Sequence, residues 1–290
     1  MSFFFQEVLG GLVAGSTYAL VALGFTLVFG VLRVLNLAHP DIYMWAAFVA
    51  FAVAKSGAPP WVVAVSAVLG GAVWGFLIDR CVLRFLRESA MATPFIATMG
   101  LSLFLQNLAV RVFGPQPLPI AQMLPRGVLH VGTFGLGYGQ IITIASALAL
   151  MLALWLFVER TWFGKAIRAT SENAEIARAL GVNADLVSMS TVVIASAFAG
   201  AAGFLIATLY GQVFAFMGVP IGLKAMVVMM VGGLGNVPGA VLGGFLLGIL
   251  ESLTVGYISS SYRDAIAFIV LMIVLLVRPQ GLLGERLRRK

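Results

Sequence analysis

Charge is scarce in this sequence: only 10% of its 290 residues are Asp, Glu, Lys or Arg, against about 25% in an ordinary soluble domain. There is too little polar side chain to cover two soluble globules of this length. Disorder is excluded by the opposite excess, since 61% of the residues are hydrophobic and disordered chains are poor in apolar residues. Cysteine is limited to Cys81, so no internal disulfide forms, and its place between Arg80 and Arg84 puts it on the reducing side of a membrane. The two histidines, His39 and His130, lie far apart with no cysteine or carboxylate at metal-ligand spacing, so no metal site is expected. A G-x-S-x-G elbow and a G-x-x-x-x-G-K-[ST] loop are both missing, despite 33 glycines. The sequence therefore offers no catalytic residues, no cofactor site and no ATP site of its own.

What the sequence has is long uncharged runs. A helix that spans a bilayer needs about 20 apolar residues, and Val8–Leu32, Ser56–Ile78, Ser89–Val110 and Val131–Val158 all qualify. Leu186–Leu223 is too long for one span and must turn before Lys224. Ala225–Leu250 is glycine-rich with Pro238 in its middle, and Ala265–Val277 closes the series. No run alternates as a barrel strand does, so the backbone must be satisfied within helices. The first run is longer than a signal-peptide core and lacks a basic region before it, so it is expected to stay as a transmembrane helix. These features predict an all-α, polytopic transmembrane helical bundle. It forms a single transmembrane domain over 1–290 with about eight spanning segments, two of them broken, and possible inverted repeats.

The net charge of +7 is clustered and forms no nucleic-acid surface, so no nucleic-acid partner is expected. Arg80, Arg84 and Arg87 make one cluster, and Arg160, Lys165, Arg168 and Arg178 another. Arg278, Arg286, Arg288, Arg289 and Lys290 make the third. Clusters of this kind face the cytoplasm, which places 159–185 and the C-terminus inside. The proline-rich and nearly uncharged loop Arg111–His130 falls outside.

Small residues at spacing four mark close helix contacts in lipid. Gly11 with Gly15, Gly71 with Gly75, Gly239 with Gly243, and Gly244 with Gly248 are such pairs, serving either plain helix packing or a sliding, pore-lining contact. The two broken runs read alike: Asn36, His39, Pro40 and Asp41 interrupt one, and Gly235, Asn236 and Pro238 interrupt the other. Irregular backbone at membrane depth faces protein or a water-filled cavity, and paired interruptions in two halves point to a transport pathway. Both sets are translocation-pathway candidates. Asp41 and Glu251 equally fit capping or interfacial pairing.

Between the clusters lies a short amphipathic helix, expected over Glu172–Leu180. Thr170 or Ser171 caps its start. Glu172 and Glu175 suit the positive end of its dipole and Arg178 the other, and Gly181 ends it. Ala174, Ala177 and Leu180 share one face. A helix this short is marginal alone and must dock, either on this protein's own helix ends or on a cytoplasmic partner.

In order along the chain come Gly15-Ser-Thr-Tyr-Ala-Leu, Leu35-Asn-Leu-Ala-His39 and Gly100-Leu-Ser-Leu-Phe-Leu-Gln106-Asn107. They are followed by Ala177-Arg-Ala-Leu-Gly-Val-Asn183, Gly232-Gly-Leu-Gly-Asn-Val-Pro-Gly-Ala and Arg278-Pro-Gln-Gly-Leu-Leu-Gly. In this combination the chain resembles the permease subunits of branched-chain amino acid ABC importers, of the smaller, first-permease type, over nearly its whole length. Pro40 departs from the glycine usual in that family after the histidine. The resemblance implies a second, related permease, two cytoplasmic ABC ATPase subunits and a periplasmic amino-acid-binding protein as partners, besides membrane lipid. It also implies an inner-membrane location, alternating access, and a coupling helix at Glu172–Gly181 seated in an ATPase groove. An ion-coupled amino acid carrier, and an importer of the same type for urea or short amides, remain the alternatives.

Overall fold

The computed structural model describes residues 2–87, 89, 92–125, 127–131 and 134–284. The expected basic tail Arg286–Lys290 lies outside the described residues. The helices are α1 (Ser2–Leu32), α2 (His39–Lys55), α3 (Pro60–Ile78), α4 (Arg84–Leu86), α5 (Ala92–Phe113), α6 (Tyr138–Arg160), α7 (Trp162–Glu172), α8 (Ala174–Ala179), α9 (Ala184–Tyr210), α10 (Gly218–Gly232), α11 (Val237–Tyr257) and α12 (Arg263–Val277). A π-turn, Asp79–Leu83, continues α3 into α4. Among the described residues, seven helices are long and apolar enough to cross a membrane, and α10 is a shorter apolar one. The protein is thus a polytopic helical membrane bundle.

Two very short sheets decorate the segment between α5 and α6, where the sequence reads as a plain loop. β1 (Leu118–Pro119) pairs with β4 (Gln212–Val213), and β2 (Val128–Val131) forms a hairpin with β3 (Phe134–Gly137). The apolar run from Val131 is consequently helical only from Tyr138, because Val131 and Phe134–Gly137 belong to strands.

The core is built around α1, α2 and α9. Large side chains such as Leu20, Leu23, Tyr43 and Phe48 are wholly buried, whereas α3, α5 and α12 present Leu69, Val73, Ile96, Phe104, Met272 and Leu276 outward. In a lipid solvent an apolar exterior carries no penalty, so these faces suit lipid or an apolar neighbour.

The helices are related by an inverted repeat. α1 packs on α11, and α3 packs on α9. α2 lies against both α3 and α9, just as α10 lies against both α11 and α1, while α5 touches α2 and α12 touches α10. Exchanging α1, α2, α3 and α5 for α9, α10, α11 and α12 leaves these partnerships unchanged. The two halves run in opposite directions, since Val31 at the end of α1 clusters with Val187 at the start of α9. α1 ends at Arg33 with φ 55°, and α9 ends at Gly211 with φ 71°, so both stop on a left-handed residue. A short irregular stretch then leads into the shorter helix α2 or α10. The corresponding interruptions are therefore 33–38 and 211–217, not the Asn36–Asp41 and Gly232–Gly239 pair that the sequence suggests. The 233–236 turn is the connection between α10 and α11, and Pro238 sits in the first turn of α11, where its missing N–H costs nothing.

All the glycine pairs sit on helix seams. A Cβ on Gly11 would lie 2.8 Å from the Gly248 carbonyl oxygen, and one on Gly15 would lie 2.7 Å from that of Gly244. Gly71 and Gly75 face Ser196 of α9, while Gly239 and Gly243 face Gly232 of α10. Each seam brings backbone against backbone, the close approach that small residues permit.

Candidate functional site

After the Arg33 N–H closes the last turn of α1 on the Phe29 carbonyl at 2.9 Å, the segment 34–38 leaves the helix, and bonds from elsewhere satisfy part of it. The Thr98 hydroxyl of α5 accepts from the Leu37 N–H at 3.2 Å and lies 3.3 Å from the Leu35 carbonyl oxygen. The Asn36 side-chain oxygen accepts from the Ala38 N–H at 3.1 Å. α2 then starts at His39, which is fully buried with Phe25 edge-on at 5.1 Å. Asp41 accepts from the Gln106 amide at 3.0 Å, and the same amide reaches Ser102 at 2.9 Å. Pro40 abuts Gly218 and Gly222, so the first turns of the two short helices α2 and α10 meet inside the protein. Asn36, His39, Pro40 and Asp41 are thus brought together in the interior. The Asn36 amide nitrogen, both His39 ring nitrogens and one Asp41 oxygen have no protein hydrogen-bond partner among the described residues.

Gly235, Asn236 and Pro238 belong elsewhere. Asn236 caps α11 by accepting from the Gly239 N–H at 2.8 Å, and its amide donates to the Leu283 carbonyl at 2.7 Å. The Leu282 N–H bonds the Val231 carbonyl at 2.8 Å. The turn, with Gly235 at φ 81°, pins the segment after α12 to the bundle end and lies beside Gly30.

At the opposite end of the bundle a cavity of about 260 Å³ opens between α1, α2, α9, α10 and α12. One wall is apolar, with Ile206, Phe214, Met217 and Ile221; the other carries Tyr18, Tyr43, Tyr210, Lys224 and Arg263. Beside it lies an ionic cluster centred on Glu251, which is 1% exposed. One Glu251 oxygen accepts from Lys224 Nζ at 2.6 Å and the Tyr18 hydroxyl at 3.2 Å, and forms an ion pair with Arg263 Nε at 2.8 Å. Lys224 also approaches Asp264 at 3.1 Å and stands over the Tyr18 ring, its nitrogen 5.4 Å from the centroid. Burying a cation and a carboxylate is tolerable only when they pair.

The sequence reading passes over most of this cluster. It takes Lys224 as the polar end of a span, whereas Lys224 lies inside α10 and 8% exposed. The available signal is that Lys224 is the one charged residue between Asp185 and Glu251. A lysine isolated within so long an apolar stretch needs a buried partner.

The basic face, at the end of the bundle where α1 stops, carries the α7–α8 segment. Arg33 donates to the Ser171 carbonyl at 2.9 Å. Arg87 binds Asp79 with its two shortest contacts at 2.7 and 2.9 Å and also reaches Asp185 at 3.0 Å. The single helix expected over Glu172–Leu180 is instead two. Glu172 ends α7, and Asn173 caps α8 by accepting from the N–H groups of Glu175 and Ile176 at 2.9 and 3.0 Å. Asn173 replaces Thr170 and Ser171 as the cap because both of these lie within the preceding helix. α8 closes at Gly181, φ 88°, through bonds from Gly181 to Arg178 and from Val182 to Ala177, each 3.0 Å.

The apolar face also differs from the expected one. Ala177 is 2% exposed and packs within the chain, Ala174 is half-buried, and Leu180 stands out at 78% exposure. Ile176 and Trp162 are the other large apolar residues left exposed on α7 and α8, and Glu172, Glu175 and Arg178 are exposed as well. Within the described residues no group of three His, Cys, Asp or Glu side chains is arranged to hold a metal.

The family described as "Branched-chain amino acid transport system / permease component" matches residues 8–275. The chain is 34% identical to the high-affinity branched-chain amino acid transport system permease protein LivH of Salmonella typhimurium, over 98% of this chain and 96% of that one. It is 33% identical to BraD of Pseudomonas aeruginosa, a protein with the same description, over 97% of this chain and 96% of that one. The complex of PsaBC from Streptococcus pneumoniae with Fab is similar at a TM-score of 0.48 and 15% identity, over 97% of this chain and 93% of the other.

Proposed function

The chain belongs to the branched-chain amino acid transport system permease family, and from that premise we propose that it is a permease subunit of an ATP-driven importer of branched-chain amino acids. The observation that carries this reading is similarity along nearly the whole chain to permeases of such systems. Two cytoplasmic ABC ATPases supply the energy, a second related permease completes the membrane part, and a periplasmic binding protein delivers the substrate. The inverted repeat supports alternating access, because two oppositely directed halves can rock about a shared interior. Reconstitution with these partners should give ATP-dependent uptake of leucine. Uptake by the chain alone, driven by an ion gradient, would overturn the reading in favour of a secondary carrier. Uptake that urea but not isoleucine suppresses would move it to the amide importers.

The basic face is cytoplasmic in this reading. Arg33, Arg87, Arg160, Lys165, Arg168 and Arg178 all lie at that end, which the positive-inside rule assigns to the cytoplasm. In a Cys81→Ser background, Gln116→Cys should react with an impermeant thiol reagent on intact cells and Glu175→Cys should not. Glu175 is the better reporter than Asn173, whose side chain caps α8. Labelling at 175 but not at 116 would invert the orientation.

The ATPase grips α8 through its outward side. Leu180 and Ile176, 78% and 59% exposed, form the apolar contact, with Glu175 and Arg178 at its rim. Leu180→Arg or Ile176→Arg should reduce ATP-driven leucine uptake at least tenfold, on the order of 1.4 kcal/mol or more of lost docking, while the chain still inserts and melts normally. Ala177→Trp tests something else, since that site is filled from within and a larger side chain disrupts α8 itself. Gly181→Val forces a branched residue to φ 88° and strains the turn in the same way. Unchanged uptake in both arginine variants would remove α8 from the coupling interface.

A further inference from the structure

The cavity opposite the basic face has the chemistry of a small-molecule site. Its volume of about 260 Å³ suits a ligand smaller than the occupants of ordinary pockets, which run from about 300 to 1,000 Å³. Its wall of Ile206, Phe214, Met217, Pro220 and Ile221 fits an aliphatic side chain. Its other side is polar, and two features there are not absorbed by the protein's own bonding. Tyr43 is 0% exposed, lines the cavity, and its hydroxyl has no hydrogen-bond partner among the described residues. Arg263 engages Glu251 through Nε at 2.8 Å, and no protein bond to its two terminal nitrogens is found among the described residues. A guanidinium edge of that kind is shaped for a carboxylate.

Lys224 is not the anion site, because its ammonium is already committed to Glu251, Asp264 and the Tyr18 hydroxyl. Glu251 in turn fixes Arg263 at the cavity edge. A buried hydroxyl left without a partner is costly in a folded protein, and a ligand oxygen reaching Tyr43 would complete it. Aromatic rings attract a cation, and Tyr43 and Tyr210 line the cavity beside Tyr18, whose ring Lys224 already covers.

We propose that this cavity holds the transported amino acid on its way through the permease, with the carboxylate at Arg263 and the Tyr43 hydroxyl and the aliphatic side chain along the Ile206–Ile221 wall. The assignment rests on the importer reading above and adds a site within this single chain that selects a carboxylate together with a branched apolar tail.

The test uses the complete transporter, with its partner subunits, in proteoliposomes. Ile221→Cys in the Cys81→Ser background places a thiol in the wall, to be modified by a methanethiosulfonate reagent. Leucine should slow that modification at least fivefold. 4-Methylpentanoate, leucine without its amino group, should also slow it, and 3-methylbutylamine, leucine without its carboxylate, should not. Adding Tyr43→Phe removes no protein hydrogen bond and should raise the leucine concentration needed for half-protection about fivefold. Adding Arg263→Gln should abolish protection while leaving the unprotected rate of labelling unchanged. Equal protection by leucine and the amine would show that the carboxylate is not read, and would overturn the proposal. Import of leucine by the same vesicles without any protection of the thiol overturns it as well. Failure of the parent transporter to import leucine at all overturns the importer reading itself, which the uptake measurement reports separately.

Discussion

Glu251→Leu is expected to destabilise the protein by about 3–5 kcal/mol, the usual effect of removing one partner from a buried ion pair. The carboxylate takes hydrogen bonds from Lys224 and Tyr18 and an ion pair from Arg263 at once. Leucine leaves Lys224, 8% exposed, with Asp264 as its remaining counter-charge, and Asp264 is mostly in solvent with its side chain 75% exposed. Pairing the change with Lys224→Met should recover most of the loss, because two apolar side chains of similar size fill the space without stranding a charge. Thermal unfolding of the purified protein in detergent measures both. A single variant as stable as the parent, or a double variant no better than the single, would show that water already reaches the cluster. The pair separates structure from transport. The double variant should be folded, and its uptake then reports whether the ionic cluster serves the cavity beyond holding α10 to α11.

The second large effect lies on the α1–α11 seam. Gly15→Leu should cost at least the ~3 kcal/mol that marks the upper end of ordinary overpacking, since its first side-chain atom alone would stand 2.7 Å from the Gly244 carbonyl oxygen and 2.9 Å from the Phe245 Cα. Both obstacles are backbone, so no rotamer change relieves them. Gly239→Leu or Gly243→Leu should behave likewise against Gly232 of α10, whereas Leu242→Ile on the exposed side should cost less than about 1.5 kcal/mol. Gly100 is the internal control. It lies within α5, and a Cβ there would meet nothing within 4 Å, so Gly100→Ala should stabilise the helix by up to about 1 kcal/mol. Retention of parent-like melting by Gly15→Leu would mean that α1 and α11 can part without loss.

The glycine rows were legible from spacing alone, because close packing in lipid depends on residue size and on little else. The uncharged runs located the long helices for the same reason: the bilayer filters for length and hydropathy. What spacing could not supply was the partner across each seam. Gly11 and Gly15 read identically whether they meet α11 or lipid, and only the tertiary structure brings Gly244 and Gly248 opposite them. The repeat was hidden more deeply. Arg33 and Gly211 end equivalent helices with the same left-handed geometry, yet they share no chemistry, so the eye is drawn to the Gly-Pro turn at 232–239 instead. Thr98 was invisible for a similar reason. Its role is to serve the backbone of Leu35 and Leu37, some sixty residues earlier in the chain, and nothing local to either sequence announces it. Lys224 was seen but misread, since a lysine within apolar sequence ordinarily marks a membrane surface and here marks a buried counter-charge.

The α1–α11 seam also bears on how the protein is made. α1 leaves the ribosome well before its partner α11, since it ends at Leu32 and α11 begins only at Val237. At ~5–20 residues per second of synthesis, α1 waits roughly ten to forty seconds with Gly11 and Gly15 facing whatever is at hand. The other seam closes sooner, because α3 finds α9 while the chain is still growing. Insertion must therefore run ahead of packing, and the first half cannot be finished until α11 has entered the membrane. A nascent chain halted before Gly244 should still span the bilayer, but with α1 open to proteases or to membrane chaperones that recognise an unpaired glycine face.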